Sequence, residues 1–101
     1  MPAAIVTFHR LAAQEYRVAR SSYARQSQQA AARFVQAVGT ALEQIAAHPE
    51  RWPLYDDRHR WVKTKKFPYL LIYRRTGEDR LTVVAVAHSR RRPGYWRRRS
   101  L

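Results

Sequence analysis

The residues with the clearest chemical potential lie in the second half of the 101-residue chain. Arg60, Lys63, Lys65 and Lys66 form one cationic cluster, and Arg74 and Arg75 a second. Arg90, Arg91 and Arg92 with Arg97, Arg98 and Arg99 form a third, enclosing Tyr95 and Trp96. His88 stands just before that third cluster. Lys63, Lys65, His88, Arg90 and Tyr95 together hold what metal-free RNA cleavage requires. A base removes the 2′-hydroxyl proton, cations stabilise the phosphorane, and an acid protonates the leaving 5′-oxygen. The arginine and aromatic mixture around Tyr95 and Trp96 also suits stacking on unpaired bases. Each group has a structural reading as well. His88 can serve as a hydrogen-bonded strand-end residue, and Tyr95 and Trp96 can pack a tail down.

Other chemistries are excluded more firmly. The chain has no cysteine, so thiolate catalysis and zinc–thiolate sites are ruled out. Its four histidines are scattered: His9, His48 and His59 have no partner by spacing. Asp56 and Asp57 are adjacent in a turn, a poor geometry for a shared metal. No metal and no cofactor are therefore expected. The longest apolar runs fall far short of the ~20 residues a membrane span needs, and the N-terminus lacks a secretory pattern. A soluble, cytoplasmic chain with no membrane partner is expected.

Net charge is +13, and it is lopsided: residues 1–50 hold five basic and three acidic residues, residues 51–101 fifteen and four. A field of that kind attracts polyanions or an acidic partner and makes their binding sensitive to salt.

The elements that must position these groups follow from periodicity. Residues 4–9 read as a short strand. Ala12, Tyr16, Ala19 and Tyr23 recur as one helical stripe, with Glu15 off it, and Ser21-Ser22 weaken the helix's last turn. Ser27 is placed to cap a second helix carrying Phe34, Val38, Ala41, Leu42 and Ile45 on one face. His48-Pro49 stops that helix, and Gly39 within it reads as a point of close helix approach. Residues 60–65 alternate, with Trp61, Lys63 and Lys65 on one side and Val62 and Thr64 on the other. Trp52 and Trp61 are expected to lid the helix–sheet core. Residues 69–75 and 81–88 are apolar on both faces, hence central strands, joined by a turn at Thr76-Gly77-Glu78-Asp79.

The order β-α-α-β-β-β predicts a single α+β domain over residues 1–101. An N-terminal strand leads into an antiparallel helical hairpin packed on one face of a three-strand antiparallel meander. Antiparallel pairing would bring His88 and Arg90 to the same sheet end as Lys65 and the start of the Tyr69 strand.

Three segments carry a family resemblance: His48-Pro49-Glu50-Arg51-Trp52-Pro53, Phe67-Pro68-Tyr69-Leu70-Leu71-Ile72-Tyr73-Arg74, and the ending from Val86 through His88 to Pro93-Gly94-Tyr95-Trp96. Together they resemble the RelE/ParE toxin superfamily over nearly the whole chain. The resemblance implies the toxin of a type II toxin–antitoxin module with a cognate antitoxin as partner. RelE-like members cut mRNA on the ribosome; Lys63, Lys65 and Tyr95 fit their pattern. Leu70 and Ser89 stand where arginines are expected, with Arg90 and Arg91 one and two positions on. ParE-like members poison DNA gyrase by binding it. The helix exit and the His88 ending lean that way, so a gyrase poison that is not an enzyme is favoured. A metal-free endoribonuclease and a non-toxic basic nucleic-acid-binding module are the alternatives. Arg60, Lys66, Arg74, Arg91, Arg92 and Trp96 are the expected contacts to target or antitoxin. The antitoxin's acidic C-terminal segment is expected across the sheet and its basic ends.

Overall fold

A computed structural model describes residues 4–101. Its elements are β1 (Ile5–Phe8), α1 (Arg10–Gln26), α2 (Gln28–Ala47), β2 (Arg60–Lys63), β3 (Tyr69–Gly77) and β4 (Arg80–His88). The α+β order and the antiparallel meander β2-β3-β4 match the sequence reading. The sheet as a whole is mixed, in the order β1-β4-β3-β2, because β1 pairs parallel to β4 on its far edge. A meander leaves that edge of its last strand open, and β1 fills part of it.

Helix capping explains the hairpin. Ser27 ends α1 and begins α2, its hydroxyl accepting from the Ala30 N–H at 2.9 Å. One residue thus serves both helices, and α1 runs through Ser21-Ser22 without a break. The stripe residues Ala12 and Ala19 from α1 and Phe34, Val38, Ala41 and Ile45 from α2 are buried against Val62, Leu71, Tyr73, Leu81, Val83 and Val86. The Tyr73 hydroxyl donates to the Pro49 carbonyl at 2.6 Å and ties the helix exit to the sheet. Burial pushes that phenol up to about 12.

A β-bulge decides which way the chain faces beyond the middle of β4. Tyr73 pairs with Val83 while Ile72 pairs with Ala85, so Val84 is an extra residue. An inserted residue reverses the alternation beyond it. Leu81 and Val83 face the helices, and after the bulge Val86 does so again, while Val84, Ala85 and Ala87 face the opposite side. His88 accordingly lies against Tyr69, with ring centroids 5.2 Å apart.

The second sheet face is covered too, by the C-terminal tail. Trp96 is 1% exposed and packs with Ile72, Val84, Ala85 and Ala87. Its ring meets Tyr55 at 5.0 Å and His59 at 4.5 Å. Of the two tryptophans expected on the helix side, Trp52 packs there, but Trp61 packs under the tail, because Val62 takes the inward position on β2.

Gly39 does not mark a close approach: a Cβ there would meet nothing within 4 Å. Gly94 is different, with φ 77° and the Arg97 guanidinium lying across its α-carbon. Lys66 holds φ 68° in the turn between β2 and β3, a left-handed conformation that lysine adopts at a cost of about 1 kcal/mol. In urea unfolding, Gly39→Ala should therefore stabilise by up to about 1 kcal/mol through helix propensity alone. Gly94→Ala should destabilise by about 1–2 kcal/mol.

Candidate functional site

The site at the end of β4 is built around an edge. β4 spans nine residues and β1 only four. Past Phe8, paired with Val83, the edge of β4 has no strand beside it. Side chains take the strand's place. The Val86 N–H donates to Glu15 Oε1 at 3.0 Å, and the Val84 carbonyl accepts from Arg99 Nη1 at 2.8 Å. Glu15 and Arg99 also join each other as a two-pronged pair, at 2.9 and 2.8 Å. The Tyr95 hydroxyl donates to Glu15 Oε2 at 2.6 Å.

One carboxylate from α1 thus holds the strand edge, a phenol and a guanidinium. Charge-assisted bonds of this geometry are the stronger kind. Burial alone would raise the Glu15 pKa. The hydrogen bonds from Arg99, Tyr95 and the Val86 N–H outweigh it and hold the carboxyl below its ordinary value. The Tyr95 phenol is pushed well above the ordinary tyrosine range, first by burial and then by its bond to the Glu15 carboxylate.

A second acid fixes the other side of the tail. Asp56 accepts from the Arg58 and His59 N–H groups at 2.9 and 2.8 Å, closing a turn. It also bonds His59 Nδ1 at 2.8 Å and Arg97 Nε at 3.2 Å. Burial opposes ionisation there too, and these donors overcome it, so its carboxyl lies far below the usual range. His59 therefore does have a partner. So does His9: its Nδ1 accepts from the Leu11 N–H and caps α1, while Nε2 bonds the Ser100 carbonyl at 2.7 Å.

The residues singled out from the sequence separate into two places. His88 and Arg91 line a cleft of about 340 Å³ together with Glu15, Tyr69 and Arg99. Lys63, Lys65 and Lys66 line another, between α2 and the β2–β3 turn. The register brings His88 and Arg90 to the sheet end that holds Lys63, Lys65 and the start of β3, as expected, but the side chains divide there, the lysines lining the α2 groove and His88 the other cleft. Tyr95 turns to Glu15 on α1. Arg90 is exposed, its N–H donating to His88 Nδ1 at 3.0 Å. Arg91 lies over the Tyr95 ring, 3.8 Å from its centroid. Arg92 is exposed, Arg74 is half-buried on β3, and Arg60 braces the Trp52 carbonyl at 2.6 Å. Trp96 is buried and anchors the tail, so it offers no surface to a partner.

Sequence reasoning did not assign Glu15 and Asp56 their anchoring role, and it read Arg97 and Arg99 only as part of a cationic cluster. Asp56 had a local signal, a carboxylate two and three residues before the N–H groups it binds. Glu15 had none, because its partners are 71–84 residues away.

Comparison with known proteins places this geometry in a family. Residues 6–93 match the family described as ParE toxin of type II toxin-antitoxin system, parDE. Among solved structures, a chain titled "Chromosomal ParDE TA system from P. aeruginosa" superposes with a TM-score of 0.59. The match covers 85% of this chain and 96% of that one at 14% identity, a likeness of fold. No curated protein matches the sequence significantly. Among the described residues no helix is long and apolar enough to cross a membrane.

Removing one partner of a largely buried ion pair strands the others, so Glu15→Ala should lower stability by about 3 kcal/mol. Both anchoring acids have lowered pKa values, so their stabilisation is complete above the unfolded-state values near 4 and is lost as pH falls through the folded ones. Wild-type stability should thus decline from about pH 5 downward, and Glu15→Gln with Asp56→Asn should flatten that decline in thermal melts. Over residues 6–93, the chain belongs to the ParE toxin family of type II toxin–antitoxin systems.

Proposed function

We propose that this ParE-family toxin arrests growth by binding and poisoning DNA gyrase, and that a cognate antitoxin neutralises it. The observation that carries the reading is the 2.6 Å bond from the Tyr95 hydroxyl to Glu15. A phenol held by a carboxylate and pushed above its ordinary pKa is a poor proton donor to a leaving oxygen. The lysines that would stabilise a phosphorane line a separate groove beside α2. A surface that grips a partner has no need of such convergence.

The charge distribution supports an acidic antitoxin segment lying over the basic end at Arg90 to Arg92, while Lys63, Lys65 and Lys66 open into a separate groove beside α2. Among the described residues, Arg90 and Arg92 have no acidic partner, whereas Arg97 and Arg99 are held by Asp56 and Glu15. The tail is therefore less self-repelling than six bare arginines, and among the described residues Arg90, Arg92 and Arg98 are its exposed charges without an acidic partner.

Expression of the chain alone should arrest bacterial growth, with relief from the adjacent gene product. Purified protein should abolish gyrase supercoiling and leave translated mRNA intact. Tyr95→Phe should keep its toxicity; a loss of roughly 10²-fold together with ribosome-dependent cleavage would assign a nuclease instead. Arg90→Ala with Arg92→Ala, which spares the Arg91 contact to Tyr95, should weaken antitoxin binding by up to about tenfold at low salt and less at high salt. Antitoxin affinity indifferent to both changes would remove the electrostatic account.

A further inference from the structure

A second cationic surface lies away from the tail. α2 and the β2–β3 turn enclose an open groove of about 580 Å³. Its charged lining residues are Arg33, Lys63, Lys65 and Lys66, and no acidic side chain lines it. Gln36, Thr40 and Gln44 complete the polar wall. Arg33, Gln36, Thr40 and Gln44 recur at helical spacing along α2, a stripe about 16 Å long at 1.5 Å per residue. Among the described residues none of the four cations has an acidic partner. Lys63 Nζ is 3.3 Å from the Phe67 carbonyl, a contact that steadies the turn without neutralising the charge.

We infer that this groove binds the phosphate backbone of duplex DNA. Cations interleaved with amide and hydroxyl groups are the side chains that contact phosphate oxygens. The aromatic residue in the lining argues for a duplex over an unpaired strand. Phe67 is engaged with Tyr23 and Phe34, at 5.1 and 5.4 Å between centroids. The groove therefore has no free ring on which an unpaired base could stack. A duplex keeps its bases stacked inside and presents phosphates outward, which asks only for charge and hydrogen bonds. An acidic peptide would need apolar anchors to gain affinity beyond charge, and the apolar lining is limited to small alanines and the occupied Phe67. The inference does not depend on the gyrase reading, since it concerns the isolated chain and naked DNA.

The test is fluorescence anisotropy of a short labelled DNA duplex with the full chain, repeated from 50 to 200 mM salt. Four neutralised phosphates predict a slope of log K against log salt near −3.6, a fall of about 150-fold across that range. Lys65→Gln with Lys66→Asn, the second chosen because asparagine tolerates the left-handed backbone there, should flatten the slope to about −1.8, a fall of about 12-fold. Arg17→Gln with Arg25→Gln removes the same charge from exposed positions of α1 and should leave the slope at the wild-type value. Circular dichroism confirms that each variant is folded. The inference is overturned if the duplex does not bind, if the α1 pair flattens the slope as much as the groove pair, or if a single strand or polyglutamate binds more tightly with the same dependence on Lys65 and Lys66.

Discussion

The Glu15 carboxylate is the point at which α1, the uncovered end of β4 and the C-terminal tail become one structure. A nine-residue strand beside a four-residue one exposes backbone groups that must find partners. Glu15 and Arg99 supply them from side chains, and the same two residues hold each other and Tyr95. The bulge at Val84 is part of the arrangement: Val86 faces the helices beyond it, and its N–H meets Glu15. Without this junction the tail would depend on Trp96, the Asp56–Arg97 pair and the His9 bond to the Ser100 carbonyl.

Electrostatics then divides the surface by task. Two of the few acids, Glu15 and Asp56, anchor the tail by neutralising Arg99 and Arg97. Among the positive charges of the described residues left without an acidic partner are Arg90 and Arg92 at the β4 end, and Arg33 with the three lysines in the α2 groove. The first set adjoins the cleft lined by His88 and Arg91, the second the groove between α2 and the β2–β3 turn. The fold is shared with a ParDE chain at 14% identity, a level at which surface charges are free to differ.

Much of the frame was legible in the sequence. The stripe from Ala12 to Tyr23, the Ser27 cap and the His48-Pro49 stop gave the hairpin, and the run from Leu81 onward gave a central strand. What escaped had no local signature. Residues 81–87 are apolar apart from Thr82, so no alternation existed to betray the bulge. β1 pairs parallel with a strand more than 70 residues away, a choice made by the open edge of β4 and not by its own four residues. Glu15 lies off the stripe of Ala12, Tyr16, Ala19 and Tyr23, and nothing local shows that the uncovered edge of β4 runs beside it. Gly39 read as a packing glycine and faces open space. By sequence Tyr95 and Trp96 fit either a stacking surface or a packed tail, and the fold uses them for the second.

Tyr95 is clamped by an ionised Glu15, and the proposed binding role rests on that contact. The most direct measurement is an NMR titration of the Glu15 side-chain carboxyl in the intact chain. A midpoint below that of an ordinary glutamate, abolished when Arg99 is replaced by glutamine, is the predicted result. A midpoint at or above the ordinary value would contradict the account, because the phenol would then be free to act as an acid.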